Sequence, residues 1–517
     1  MPLGPLTDAV ADATTQAMAL VPRVWDRDHT VWTGGPREES WQDDPSEISD
    51  RLGWLDATER ADEVVAELRR LSADVVADGF TDVLLVGMGG SSLYPEVLAT
   101  VFGPAAGHPR LRVLDSVDPA AVDAVERELP WQATLLVPAS KSGGTVEMAC
   151  HLARFAQRLD EVHGSGAGRH VLPITDPGSG LEQQASDRGY RAVVHGQPDV
   201  GGRFSALTPF GLLPAALLGI DLDAHLAPAR RELENARSTD PDVNGPAVLG
   251  ATLAAAHQAG RDKLVLVLPD EIASFGLWVE QLVAESTGKE GKGILPVLDA
   301  DLDGTDRWGD DRLVVVLGPE ATADEIARAG HPVVHLPWSG PEHLTAEVVR
   351  WEFATAVAGA LLGINPFDQP DVQSAKTATD RVLAEGQDLP PTGDADDVLG
   401  DVGPGDYVAL LGFVTPGGGD EAALRAAADR LRTRLGVPVT VGIGPRYLHS
   451  TGQLHKGGPD TGRFLVVVGD DEIDVDIPGR EFSFGRLKRA QAAGDFAALQ
   501  AAGRRAVRIT TDDLAGL

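Results

Sequence analysis

Thr134-Leu135-Leu136-Val137-Pro138-Ala139-Ser140-Lys141-Ser142-Gly143-Gly144-Thr145 decides how this chain folds. An apolar run that ends in hydroxyls, a lysine and paired glycines, just ahead of a helical stretch, reads as a buried strand turning into a helix. Glycines let the backbone approach a ligand and aim its N–H groups. The hydroxyls add donors, and the helix presents its positive N-terminus. Charge-assisted hydrogen bonds contribute about 1.5–3 kcal/mol each, so a few of them hold a phosphate monoester well. Lys141 precedes the glycines instead of following them, so the loop is not a Walker A motif. Taken alone, the segment also reads as an ordinary polar strand-to-helix turn.

Working outward, apolar runs of the same kind recur at 82–87, 111–115, 170–174 and 191–195, with helical stretches between them. That rhythm predicts a parallel sheet covered on both faces by helices. A second round begins at Lys263–Leu268 and continues through Leu313–Leu317 and Pro332–Leu336, with long helices near 275–287 and 344–362. Residues 1–80 read mainly as helix, with a tryptophan-bearing loop near Trp32 and Trp41. The Pro-, Gly- and Asp-rich stretch 388–404 reads as a linker. Beyond it come strands at 407–413, 437–443 and 464–469, a helix at 421–435 and a final helix and strand. The expected fold class is therefore α/β. Its division is an N-terminal helical region (1–80), two sheet-bearing domains (81–245 and 246–387), the linker, and a small α/β module (405–517).

A chain of 517 residues is too long for one ordinary core, which agrees with several domains. Its net charge of −34 argues against a nucleic-acid partner, because phosphate backbones demand basic surfaces. No apolar stretch is long enough to span a membrane, and no basic, then apolar, leader opens the chain. A cytoplasmic location is expected. The one cysteine, Cys150, allows no intramolecular disulfide and reads as a buried free thiol. Seven lysines stand in this acidic background, and five lie in glycine-, hydroxyl- or carboxylate-rich segments: Lys141, Lys289, Lys292, Lys376 and Lys456. Positive charge is placed where an anion would need it.

Five further segments carry chemistry. Gly87-Met88-Gly89-Gly90-Ser91-Ser92 partly matches a dinucleotide fingerprint, with Asp115 where a ribose-binding acid would stand, but Ser92 takes the third glycine position. The other reading is a second polar turn that brings Gly90 and Ser91 to the same ligand as the 140–145 loop. In Gly201-Gly202-Arg203-Phe204-Ser205, the glycines admit a ligand and Arg203 offers a fixed fork for an oxyanion. Gln281 and Glu285 are four apart and share a helix face, within a segment that runs on to Gly288-Lys289. A carboxylate there can shuttle a proton in a closed pocket. In Asn365–Lys376, Pro370 starts a helix, putting Gln369 at its cap and Lys376 about two turns inside. Finally, His449-Ser450-Thr451-Gly452-Gln453-Leu454-His455-Lys456-Gly457-Gly458-Pro459 offers histidines suited to proton transfer. His449 and His455 have no convincing third metal ligand, so no metal site is expected.

Together these segments resemble the glucose-6-phosphate isomerase family, built from sugar-isomerase domains. The likeness runs in order through Gly87–Ser92, Ser140–Thr145, Val200–Ser205, Gln281–Lys289 and Phe367–Lys376. The wording around Trp351–Lys376 and His449–Pro459 is most similar to the isomerase half of fused transaldolase/glucose-6-phosphate isomerase proteins. The resemblance implies two sugar-isomerase domains and reversible conversion of glucose 6-phosphate and fructose 6-phosphate, with no cofactor. It implies that Ser91, Ser140, Ser142 and Thr145 hold the phosphate, with Lys141 nearby. Glu285 would move the proton between C1 and C2, and Arg203 would stabilise the cis-enediolate. Gln281 and Gln369 would line the sugar, and Lys376 would assist near the ring oxygen. Alternatives are an enzyme that also accepts mannose 6-phosphate and a non-catalytic sugar-phosphate-binding protein.

One departure stands out. The family's ring-opening histidine usually lies between the Glu and the Phe-Asp-Gln segments, where His331, His335 and His343 lack its context. His449-Ser450, with Gln453 and Gly458-Pro459, has the right pattern but follows the segment it normally precedes. The expectation is that this loop has moved into the C-terminal module. In the family the histidine commonly comes from a neighbouring subunit, which implies a homodimer, whereas a loop moved to the C-terminal module could also reach the site of its own chain. The likeness to the fusion proteins also raises association with a separate transaldolase.

Overall fold

The computed structural model describes residues 2–32, 46–385 and 389–517. Trp41 and Asp388, which the sequence reading placed in a loop and at the start of a linker, lie outside the described residues.

The stretch quoted above opens as β3 (Thr134–Pro138), fully buried, and leads through the 139–145 turn into a helix, Val146–His163. It pairs in parallel with β1 (Asp82–Val86), which pairs on its other side with β2 (Arg110–Leu114). Parallel bridges at Leu136–Val171 and Ala139–Ile174 carry the sheet on to the short pair β4 (Ile174–Thr175) and β5 (Val194–His195). These last two strands are shorter than the apolar pattern predicts, because the backbone before them makes isolated bridges and single hydrogen bonds, such as Leu136–Val171, instead of a continuous ladder.

A second parallel sheet has the order β7-β6-β8-β9, from β6 (Lys263–Val267), β7 (Leu295–Val297), β8 (Arg312–Leu317) and β9 (Val333–Leu336). Strand β7 was not foreseen. It is three residues long, below the length at which periodicity reads as a strand. A third parallel sheet, β11-β10-β12-β13, is built from β10 (Tyr407–Phe413), β11 (Val439–Ile443), β12 (Gly462–Val468) and β13 (Arg505–Ile509).

The third sheet is not an appendage. Ala409, Leu411, Phe413, Phe464 and Val466 share one apolar core with Val265, Val314 and Val316 of the second sheet. Val475, Ile477, Phe484 and Leu487 complete the core on one face of the first sheet. Within the 388–404 stretch, Asp396–Leu399 forms a helical turn whose Val398 and Leu399 are buried in the module's own core. Burying apolar surface on two fronts fixes the module against both sheets, so its loops are held rigidly relative to the first two sheets. Near the N-terminus, helices Thr7–Trp25 and Ala57–Ala77 pack into the largest core. Trp32 donates its indole N–H to the Ala356 carbonyl (2.9 Å) and meets Phe367 edge-on at 5.0 Å.

Candidate active site

The site lies at the C-terminal ends of the strands in the first sheet, where an open parallel sheet exposes its loops. Two glycine turns meet there, backbone on backbone. A Cβ placed on Gly90 would lie 1.9 Å from the Gly202 carbonyl, so this position accepts no side chain without displacing the 201–205 turn. Around them opens a cavity of about 560 Å³ lined by Gly90, Ser91, Ser140, Lys141, Ser142, Thr145 and Gln369. All the phosphate-loop residues expected from the sequence are therefore brought together, within the size range of small-ligand pockets. Ser140 Oγ and Thr145 Oγ1 are 3.0 Å apart, and Ser142 Oγ accepts the Gly144 N–H at 3.2 Å. Lys141 pairs with Asp176 at 2.8 Å and donates to the Gln197 carbonyl at 2.9 Å. Burial pushes its ammonium below the usual lysine value, and the Asp176 pair opposes that fall.

The buried helix Ala273–Thr287 supplies the second half of the site. Its i, i+4 geometry puts Gln281 and Glu285 on one face, and the Gln281 amide donates to Glu285 Oε2 at 3.1 Å. Arg203 Nη1 stands 3.4 Å from Glu285 Oε1. The rest of that guanidinium is fully engaged. Nε donates to Ser286 Oγ (2.7 Å), Nη1 to Gln369 Oε1 (2.7 Å), and Nη2 to the carbonyls of Pro366 and Asp368 (2.6 and 2.9 Å). Arg203 thus ties the Glu285 helix to the Phe367-Asp368-Gln369 turn, and through Gln369 to the cavity.

Lys289 completes this clamp, and sequence reading quoted it without assigning it a task. It is 1% exposed and donates to the carbonyls of Asn365 (2.8 Å) and Asp368 (2.6 Å) and to Asp368 Oδ1 (2.7 Å). Burial pushes its amine down to about 8, with Asp368 resisting.

His449 arrives from the C-terminal module of the same chain. Its carbonyl accepts the Gln281 amide at 2.7 Å, and a Cβ on Gly89 would lie 2.9 Å from that oxygen. Gln453 latches the loop further, donating to the Gly288 carbonyl (3.0 Å) and the Asp371 carboxylate (2.6 Å). The His449 ring faces Glu147, whose Oε1 lies 2.9 Å from Nε2 and also accepts from Gln491 at 2.7 Å. Burial alone would raise the Glu147 carboxyl, but the charge and hydrogen bond of His449 outweigh it and hold the group at about 2. Glu147 was missed because a glutamate in the first turn of a helix is unremarkable in sequence. A smaller cavity of about 170 Å³ joins His449, Glu147 and Lys376 to Ser142 and Thr145, which line the larger one as well.

Other candidates are placed elsewhere. His455 is fully buried among Tyr407, Tyr447 and Phe464, whereas His449 faces Glu147, so the two imidazoles do not share a metal-binding face. Asp115 is taken by Arg446 in a bidentate pair at 2.9 and 3.0 Å, which leaves no free acid for a ribose in the dinucleotide reading. His331 and His335 bond to the carbonyls of Thr305 and Gly318. Cys150 is a buried free thiol whose ionisation burial pushes up to about 11. Among the described residues no helix is long and apolar enough to cross a membrane.

Residues 55–297 match the family model described as phosphoglucose isomerase. The glucose-6-phosphate isomerase of Rubrobacter xylanophilus is 31% identical over 360 residues, covering 59% of this chain and 83% of that protein. A glucose-6-phosphate isomerase of Thermus thermophilus is 30% identical over 382 residues, covering 64% of this chain and 90% of its own. Among solved structures, a hypothetical protein of Thermus thermophilus superposes with a TM-score of 0.63 at 27% identity, over 73% of this chain and 97% of that one. A glucose-6-phosphate isomerase from Chlamydia trachomatis shares the fold, with a TM-score of 0.58 at 18% identity, over 74% of this chain and 87% of that one. The family-model match takes in Arg203, Gln281 and Glu285 and ends before Gln369, Lys376 and His449.

Proposed function

Because this chain belongs to the glucose-6-phosphate isomerase family of aldose–ketose isomerases, we propose that it interconverts glucose 6-phosphate and fructose 6-phosphate through a cis-enediolate, with Glu285 carrying the proton between C2 and C1. One observation carries the reading. Glu285 is held 3.4 Å from Arg203 and 3.1 Å from Gln281, whose amide also holds the His449 loop at 2.7 Å. Base, oxyanion partner and acid come from three distant parts of one chain.

The phosphate sits against Ser91, Ser140, Ser142 and Thr145, at the N-terminus of the 146–163 helix. His449 opens the pyranose. Its Nε2–H is committed to the Glu147 carboxylate, so Nδ1 delivers the proton to the ring oxygen. The C1–O5 bond breaks, O1 passes its proton to the Nδ1 of His449 that has just protonated O5, and the C1 carbonyl forms, with Lys376 near the ring oxygen. Glu285 then takes the proton from C2, and the electron pair flows into the C1 carbonyl. The negative charge on the enediolate oxygens is met by Arg203, already oriented by its bonds to Ser286, Pro366 and Asp368. Return of the proton from Glu285 to C1, with transfer of the hydroxyl proton from O2 to O1, gives the ketose. No cofactor is required, because the substrate carbonyl itself acidifies the C2 proton. The whole set is proposed to work within one chain, so dimer formation is not needed to supply the histidine.

The test is conversion of glucose 6-phosphate and of mannose 6-phosphate by the purified chain, followed by NMR. Formation of fructose 6-phosphate from glucose 6-phosphate is expected, with Glu285→Gln slower by about 10²–10⁴-fold. No conversion by the native chain, or a native rate in Glu285→Gln, would overturn the reading.

A further inference from the structure

Arg51 belongs to none of the segments that carry the family likeness, yet it lines the same cavity as Ser91, Ser140, Ser142 and Thr145. It is brought there by the chain that follows it. Leu52 forms an antiparallel bridge with Val200, and the Gly53 N–H donates to the Asp199 carbonyl at 2.9 Å. Arg60 clasps the Asp199 carboxylate at 2.8 and 2.9 Å. A Cβ on Gly53 would lie 2.4 Å from that carboxylate, so the segment is pressed against the loop that ends in Gly201-Gly202.

Among the described residues, Arg51 and Lys141 are the cations that line the cavity, and Asp176 is the one lining carboxylate, already paired with Lys141 at 2.8 Å. Arg51 has partners of its own, Glu47 at 3.3 Å and Asp50 at 3.0 Å, but their side chains are 54% and 47% exposed. Such solvent-facing pairs are weak and screened, so they orient the guanidinium without neutralising what it offers the cavity. Its charge is felt at Lys141 and at Arg203, where it works against their holding a proton. In a chain of net charge −34, two cations that converge on one cavity, one of them paired only with solvent-facing carboxylates, mark a place for an anionic ligand.

We propose that Arg51 is a substrate-binding residue, whose guanidinium takes the phosphate oxygens that face away from the Ser140–Thr145 loop. This rests on the phosphate seat proposed above. The loop offers hydroxyls and backbone N–H groups from one side. Arg51 adds the charged fork on the other, suited to two oxygens of a tetrahedral dianion. Because the phosphate does not change during the isomerisation, the contribution falls on binding and not on the chemical step.

The experiment measures KM and kcat for fructose 6-phosphate, and inhibition by inorganic phosphate, in the full chain carrying Arg51→Gln, Arg51→Lys or Thr145→Ala. In Arg51→Gln, KM and the phosphate inhibition constant should both rise by about 10- to 100-fold, with kcat within about threefold of native. Arg51→Lys should recover part of the loss, since it keeps the charge and not the fork. If both Arg51 variants keep native constants while Thr145→Ala raises them, Arg51 has no part in a phosphate seat that stands. If all three keep native constants, the seat is wrong and the proposal falls with it. A fall in kcat at unchanged KM would also overturn it. Should Arg51→Gln not fold, Arg51→Lys decides: a KM raised several-fold supports the assignment, and an unchanged one removes it.

Discussion

Glu147→Gln is expected to separate the proposed ring opening at His449 from isomerisation at Glu285. In the native chain the Glu147 carboxylate is 3% exposed, lies 2.9 Å from His449 Nε2 and accepts from Gln491 at 2.7 Å. Glutamine keeps the shape and removes the charge. The bond from His449 then falls from charge-assisted to neutral, a loss of roughly 1.5–3 kcal/mol at most. The imidazolium also loses a neighbouring anion. A unit pair at 4 Å interacts by about 4 kcal/mol at an effective dielectric of 20, so the electrostatic change is no smaller than the bond itself. Part of this is recovered by relaxation of the ring, so kcat/KM for cyclic glucose 6-phosphate should drop by about 10- to 100-fold, since 1.4 kcal/mol is a factor of ten. An open-chain analogue, lacking the hydroxyls that close the ring, should react within about threefold of the native rate, because Glu285 and Arg203 are untouched. Steady-state assays on both substrates, with His449→Ala marking the full loss, give the comparison. An equal fall on both, or none on the cyclic sugar, would refute the reasoning.

Other outcomes follow from the same geometry. Gly90→Ala must part the 87–92 and 201–205 turns, whose backbones leave 1.9 Å for the new Cβ. It should lower thermal stability by roughly 1–3 kcal/mol, as overpacking does, and lower activity with it; a native midpoint and native activity would show the turns free to separate. Lys289, held at about 8 against an ordinary 10.5, should give kcat/KM an alkaline limb near pH 8, as the neutral amine loses its charge beside Asp368 and one of three donors. The stability effect has the opposite sign. Between pH 8 and 10.5 the unfolded chain binds more protons at this lysine, so its contribution to stability rises with pH through that window. Lys289→Met should abolish the limb, and an unchanged profile would assign it to another group. Chains carrying Glu285→Gln and chains carrying His449→Ala, mixed after co-expression, should be no more active than the two alone. Restored activity would show that the histidine works across subunits.

The fold was legible wherever long buried strands alternate with helices, as at Asp82–Val86, Thr134–Pro138, Arg312–Leu317 and Tyr407–Phe413. Periodicity fades in short strands, which is why Leu295–Val297 escaped notice and the fourth and fifth strands of the first sheet were drawn too long. Of the candidate residues, those in glycine-rich turns or at i, i+4 spacing were readable from the sequence: Ser140–Thr145, Arg203, and Gln281 with Glu285. Glu147 and Arg51 did not, because their surroundings are made by distant chain: Gln491 and His449 for one, Val200 and Asp199 for the other. The His449 loop was readable as a motif, while its docking against Gln281 and Gly89 depends on the core that the third sheet shares with the second.

The central claim is that Glu285 moves one proton between C2 and C1 of an opened sugar phosphate. Deuterium incorporation at C2 of glucose 6-phosphate in heavy water tests it most directly. The native chain should exchange that proton at a rate comparable with turnover, and Glu285→Gln, with its fold and phosphate inhibition intact, should exchange it about 10²–10⁴-fold more slowly. Exchange retained at the native rate in Glu285→Gln would mean that another base does the work.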